Sequence, residues 1–271
     1  MLHLFINGKL VLMKVLITND DGIFAETLWT LANTFKNNYS VSVVAPDREQ
    51  SATGTMVTLR LPLRVREHNC FSKDIATFSV EGSPADSVIL AIGKIVPDTG
   101  MVVSGINQGL NLGDDVLISG TVGAAMQGYL RGLPAIAVSV PPDSGHETRQ
   151  TAARVAEKVA LAITNGMLGT NGFFNINVPN VPVSSIRGIK ATRLAHKTHI
   201  DTVEEGHDGR REYYWLVRRQ LTSDAAPDTD IWAIDNAYIS ITPLHSELFH
   251  RPDGQPDEGL CADLFNQIIN S

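Results

Sequence analysis

The fold is read from Val15-Leu16-Ile17-Thr18-Asn19-Asp20-Asp21-Gly22. The first four residues are apolar or β-branched and make a short strand. Three polar residues and a glycine follow at once. Neighbouring side chains on a regular strand point to opposite faces. Asp20 and Asp21 therefore share a ligand only where the chain leaves the strand, and Gly22 supplies the freedom to turn there. Adjacent acids repel each other unless something positive lies between them. A hard cation with oxygen ligands is one answer. A solvated turn carrying two free acids is the other.

Outward from that stretch, strand-like and helix-like runs alternate. Leu28, Leu31, Ala32 and Phe35 follow one helical face. Val41–Ala45 is the next strand, closed by Pro46. Ser83-Pro84-Ala85-Asp86 reads as a helix start, with serine as cap, proline in the first turn and an acid three residues after the cap. Ala85, Val88, Ile89 and Ile92 give that helix an apolar face. Met101–Ser104 is another strand. Val122, Ala125, Met126 and Tyr129 form a stripe ended by Gly132 and Pro134. Ala135–Val140 is a buried strand, and a long helix runs from about Glu147 to Asn165. Continuously apolar strands separated by amphipathic helices imply a parallel sheet covered on both faces. In such sheets ligands bind at the carboxyl ends of the strands.

Beyond residue 170 the pattern changes. Phe173–Val178 is one more central strand. Ile189–Leu194, Tyr213–Arg218 and Tyr238–Thr242 look like strands with no helices between them. The charged run Thr198–Arg211 is a mobile loop or hairpin. Three parts follow: residues 1–12 as a leader or alternative-start segment ahead of Met13, residues 13–180 as the α/β core, and residues 181–271 as a β-rich extension.

The bulk properties fit a globular chain. Apolar residues make up 43% and charged residues 19% of its 271 residues. A net charge of −7 argues against a nucleic-acid polymer or a membrane surface as partner, since both need a concentrated positive field. The N-terminal apolar run is too short and too broken to span a membrane and lacks a cleavage site. Cys70 and Cys261 offer neither zinc spacing nor a disulfide framework, so both read as small, largely buried residues in a reducing cytoplasm.

Three more polar clusters follow strands. Asp47-Arg48-Glu49-Gln50-Ser51 offers the Ser51 hydroxyl, while its three charged residues suit a surface salt-bridge loop, and Gly54 marks a flexible or close-packed stretch. Ser104–Asp115 reads as a Gly-rich loop whose glycines admit an anion to backbone N–H groups. Its Asn107 amide oxygen is a neutral metal ligand, and Asp114 and Asp115 suit helix or loop capping. Ser119-Gly120-Thr121 precedes a helix and is either a plain cap or an anion seat at the positive end of the helix dipole. Together the clusters place a cation seat beside an oxyanion seat, which suits phosphoryl chemistry.

VLITNDDG (15–22), VAPDREQS (44–51), EGSPAD (81–86), VSGINQGLNLG (103–113), SGTVGAA (119–125) and SITPL (240–244) together resemble the SurE family of stationary-phase survival phosphatases. The resemblance implies a Rossmann-like three-layer α/β/α sandwich with a β-rich C-terminal extension and a hairpin swapped between subunits of a homodimer or homotetramer. It implies a 5′-nucleotidase, a phosphoric monoester hydrolase acting on nucleoside 5′- and 3′-monophosphates and also on short polyphosphate. It implies one divalent ion per subunit, Mg2+ or Mn2+, on Asp20, Asp21, Ser51 and Asn107, with the two aspartates as catalytic residues. Ser119, Gly120 and Thr121, with Asn19 and Gly54, would contact the phosphate. Ala25-Glu26-Thr27, Ser87 and Asn236-Ala237 depart from the family's usual residues without touching a proposed ligand.

Two other classes fit less well. A phosphorelay receiver also carries an acidic pair after its first strand, but no lysine ends Ala135–Val140 as it requires. A dinucleotide binder needs glycines where the acids stand. His196 and His199 read as a solvated pair or a minor substrate contact, Arg210-Arg211 and Arg218-Arg219 as decoration of the hairpin, and Trp29, Trp215 and Trp232 as core or interface.

Overall fold

A computed structural model describes residues 3–6, 9–69, 74–169, 171–196, 200–218 and 226–247. Cys70, Cys261, His199 and Arg219 lie outside the described residues. In chain order the strands are β1 (His3–Ile6), β2 (Lys9–Leu12), β3 (Lys14–Thr18), β4 (Ser40–Pro46), β5 (Val65–Glu67), β6 (Ala76–Val80), β7 (Met101–Gln108), β8 (Ala135–Val140), β9 (Phe173–Asn177), β10 (Gly188–Ala191), β11 (Ile200–His207), β12 (Glu212–Arg218) and β13 (Tyr238–Leu244). The α-helices are α1 (Glu26–Phe35), α2 (Pro84–Leu90), α3 (Gly120–Tyr129), α4 (His146–Thr164) and α5 (Asp230–Asp235).

Nine strands form one sheet in the order β10-β13-β9-β8-β7-β3-β4-β6-β5. From β6 to β9 all neighbours are parallel. Numbered within that parallel core, the order is 3-2-1-4-5-6, the doubly wound arrangement whose direction of winding reverses between its first and fourth strands. Here those strands are β3 and β7. The crevice above their carboxyl ends is therefore where the topology leaves room for a ligand.

Alternation along the strands explains the layers. Val15 and Ile17 of β3 pack with Leu28, Leu31 and Phe35 of α1 and Ala152, Ala156 and Val159 of α4. Leu16, on the other face, packs with Val88 of α2 and Ala124 of α3. Helices thus cover both faces, the α/β/α sandwich that the apolar strands imply. At α2 the reading holds in detail. The Ser83 hydroxyl accepts from the Asp86 amide, and the Asp86 carboxylate accepts from the Ser83 amide. A capping box of this kind satisfies two otherwise orphaned donors.

The differences from expectation lie where neighbours decide the structure. β7 runs on to Gln108, although its end is rich in glycine and asparagine. Pairing slips after Ser104 and resumes at Asn107 with Ser139 and Gln108 with Val140, so β8 holds as strand a run that reads locally as loop. β5 and β6 carry no strong sequence signal, and β5 is an exposed edge of three residues. The short helix α5, capped by Thr229, interrupts a region expected to lack helices.

Residues from both sides of position 180 build the main sheet, since β13 lies antiparallel beside β9 and parallel to β10. β11 and β12 pair only with each other, as a hairpin with its own two-stranded sheet, and β1 and β2 do the same. Among the described residues no helix is long and apolar enough to cross a membrane.

Candidate active site

Asp20 and Asp21 leave the end of β3 at the crevice. The turn is built by its own residues. The Asn19 amide donates to the Gly22 carbonyl at 3.0 Å, and its oxygen accepts from the Gly22 N–H at 3.2 Å. Gly22 has φ +94°, and a Cβ there would lie 2.9 Å from the Arg48 carbonyl carbon. A side chain at Gly22 meets both strain and a clash.

The two aspartates diverge. Asp20 is buried and lies at the start of α3, where it accepts from both the hydroxyl and the amide of Thr121. Its own carbonyl accepts from Gln50 at 2.7 Å. A carboxylate at a helix N-terminus is favoured by free N–H groups and the dipole, yet burial is the larger effect and pushes the Asp20 pKa up. Asp21 is half-buried and accepts from the Gln108 backbone N–H. Its Oδ2 is buried with no hydrogen-bond partner. Burial, then the charges of Asp20 and Glu49, push its pKa up to about 7.

The remaining expected site residues fall into two groups. Asn107 stands one residue before the Gln108 amide that holds Asp21. Its Nδ2 donates to the Gly109 carbonyl at 2.6 Å. Gly120 opens α3 against Asp20: a Cβ on it would lie 2.9 Å from the Asp20 Cβ. Asp20 and Gly120 thus meet directly, and Asp21 meets the end of β7 through the Gln108 amide. Ser51 is exposed and donates to Glu49 Oε1 at 2.8 Å. The Ser119 hydroxyl caps α3 by accepting from Val122. The Gly54 N–H donates to the Ile118 carbonyl at 2.8 Å. The hydroxyls of Ser119 and Thr121, the Asn19 amide and the Gly54 N–H are thus all engaged within the protein.

Sequence reasoning missed Glu49. Placed with a surface salt-bridge loop, its carboxylate instead raises the pKa of both aspartates. The available signal was a third acid in the loop after β4, the strand next to β3. Asp47 in the same loop has a buried Oδ1 without a hydrogen-bond partner. Arg149, at the start of α4, pairs with Glu26 at 3.0 Å and reaches the Gln108 side chain at 3.5 Å.

Adjacent carboxylates, one with an orphaned buried oxygen and both raised by the charge of Glu49, form an arrangement short of positive charge, and a divalent ion fits it. Among the described residues no group of three or more His, Cys, Asp or Glu comes together as a metal cluster. An ion here would rest on two carboxylates and neutral oxygens, a donor set suited to hard cations.

Fold and site define a class: a doubly wound α/β protein with an acidic pair at its switch point and a helix N-terminus beside it. The comparisons narrow the class. The family described as Survival protein SurE matches residues 15–201. The chain is 55% identical over 242 residues to the 5′-nucleotidase SurE of Dehalococcoides mccartyi strain CBDB1, covering 89% of this chain and 91% of that one. It is 42% identical over 236 residues to the 5′/3′-nucleotidase SurE of Proteus mirabilis, covering 86% and 90%. The crystal structure of the SurE protein from Aquifex aeolicus superposes with a TM-score of 0.75 at 34% identity, covering 88% of this chain and 95% of that one. The chain belongs to the SurE family.

Proposed function

We propose that this chain is a divalent-metal-dependent phosphatase that hydrolyses nucleoside 5′- and 3′-monophosphates to nucleoside and phosphate. The observation that carries the reading is the buried, unpartnered Oδ2 of Asp21, set beside Asp20 and Glu49 at the switch point. The names of its relatives, at up to 55% identity over most of the chain, support the substrate class.

Asp20, Asp21 and Asn107 would hold Mg2+ or Mn2+, with Ser51 joining if its hydroxyl turns from Glu49. Such an ion, when bound, would offset phosphate charge and make a water molecule acidic enough to attack at neutral pH. The protein's own part is positioning. Thr121 holds Asp20 with a hydroxyl and an amide, and Gln108 holds one oxygen of Asp21. The other oxygen of Asp21 is the atom placed to take a cation or a proton. The start of α3 at Gly120 draws the phosphate through its dipole.

A cytoplasmic setting, a homodimer or homotetramer with the β11–β12 hairpin exchanged, and activity on short polyphosphate complete the proposal. Phosphate release from AMP and 3′-AMP tests it. Activity should need Mg2+ or Mn2+, vanish in EDTA and be lost in Asp20→Asn and Asp21→Asn. Full turnover in EDTA, or full activity of either variant with magnesium, would sink it.

A further inference from the structure

We propose that Glu49 is the charge-selecting residue of the cation seat: its carboxylate stands just beyond the ion's ligands and biases the seat toward multiply charged cations. The inference rests on the metal-dependent reading and names a residue outside the four expected ligands.

The backbone puts Glu49 opposite Asp21. The Ile23 N–H donates to the Pro46 carbonyl at 2.8 Å. Gly22 lies against Arg48, whose Cα would be 3.2 Å from a Cβ there. The Gln50 N–H donates to the Asp20 carbonyl at 2.7 Å. The segments 20–23 and 46–50 therefore run past each other in opposite directions, and in that register the residue facing Asp21 is Glu49. The clasp is anchored on two further sides. The Asp47 N–H donates to the Val80 carbonyl of β6 at 2.9 Å. The Gln50 carbonyl oxygen would lie 3.1 Å from a Cβ on Gly120, at the start of α3.

The side chain is placed as well. Glu49 Oε1 accepts from the Ser51 hydroxyl at 2.8 Å, and the Glu49 charge acts on Asp20 and Asp21 alike. Its position is nonetheless peripheral. Glu49 is exposed where Asp20 is buried and Asp21 half-buried. Among the described residues no three acids come together as a metal cluster. Glu49 thus adds charge to the seat without ligating the ion, and its pull on a cation grows in proportion to the cation's charge. With Glu49 the seat favours a divalent ion over Na+ or K+ more strongly than the aspartate pair does alone.

Ion binding measured without turnover tests the assignment, with Mn2+ followed by calorimetry and Tb3+ by luminescence. Glu49→Gln removes the charge and keeps an acceptor for Ser51. At low salt it should bind Mn2+ about tenfold more weakly than the parent and Tb3+ about thirtyfold more weakly, since the lost attraction scales with ion charge. At about 0.5 M KCl both losses should shrink, because an exposed charge is screened. Unchanged Mn2+ affinity in Glu49→Gln, equal losses for the two ions, or losses independent of salt overturn the proposal; a merely distorted loop would give the last two. Asp21→Asn tests the metal reading apart. If the parent binds neither ion, or Asp21→Asn binds Mn2+ as tightly as the parent, that reading falls and the proposal falls with it. If Asp21→Asn loses Mn2+ while Glu49→Gln holds it as the parent does, the proposal alone fails.

Discussion

Asp21→Asn should stabilise the metal-free protein while abolishing its chemistry. Asp21 has a buried oxygen without a partner and stands among like charges. Its pKa rises from 3.8 to about 7, through burial first and then through Asp20 and Glu49, against the opposing Gln108 hydrogen bond. A raised folded-state pKa contributes stability below the unfolded value and loses it as pH climbs through the folded one. In EDTA at pH 8 the folded chain therefore bears the full cost of ionising Asp21. The difference of about three pH units, at about 1.36 kcal/mol each, sets a ceiling of about 4 kcal/mol. Residual solvent access to the half-buried side chain reduces this to roughly 1–3 kcal/mol. Asparagine removes the charge and keeps an oxygen for the Gln108 amide. For a chain of this size the gain corresponds to a Tm increase of about 2–10 °C. Thermal unfolding of parent and variant in EDTA, from pH 4 to 8, is the assay. The gain should be largest at pH 8 and shrink toward pH 4, and magnesium should stabilise the parent but not the variant. A variant no more stable than the parent in EDTA at pH 8, or a gain independent of pH, refutes the reasoning.

Thr121→Val removes the hydroxyl that donates to Asp20 while keeping shape and amide; metal affinity by calorimetry should fall roughly tenfold or more, since hydrogen bonds to charged groups are worth about 1.5–3 kcal/mol. Gly123→Ala would put a Cβ 2.1 Å from the Gly54 carbonyl oxygen, and chemical denaturation should show a loss of about 1–3 kcal/mol or more as α3 is pushed off the loop it covers. Asp230→Ala strips acceptors from the amides of Gly113, Ala195 and Ile231. Unpaired buried amides cost about 1–3 kcal/mol, so its midpoint should drop by a similar or larger amount, and amide exchange should quicken first at Gly113 and Ala195.

Several features are local, and their reading needs no tertiary information. Val15–Thr18 is continuously apolar or β-branched, so it makes a buried strand wherever the sheet forms. Leu28, Leu31, Ala32 and Phe35 share a face because the helix repeats every 3.6 residues. Ser83 and Asp86 cap α2 from three residues apart. Gly22 permits a turn that few other residues would allow. From such local rules the α/β class, the strand that carries the acids and their place at its carboxyl end follow directly.

The site's partners are not local. Gln108 supplies the amide that holds Asp21 because β7 pairs beside β3 and is kept extended by β8. Thr121 meets Asp20 across 101 residues. Glu49 acts on both aspartates because β4 is the other neighbour of β3, and Ile23, just after the acidic turn, is tied to Pro46 and Trp29. Hydrogen bonding and burial depend on distance in space, which sequence spacing does not encode. The chain therefore shows where an acidic pair leaves its strand, but only the folded sheet determines that Glu49 stands near it, which groups hold the pair and which oxygen is left without a partner.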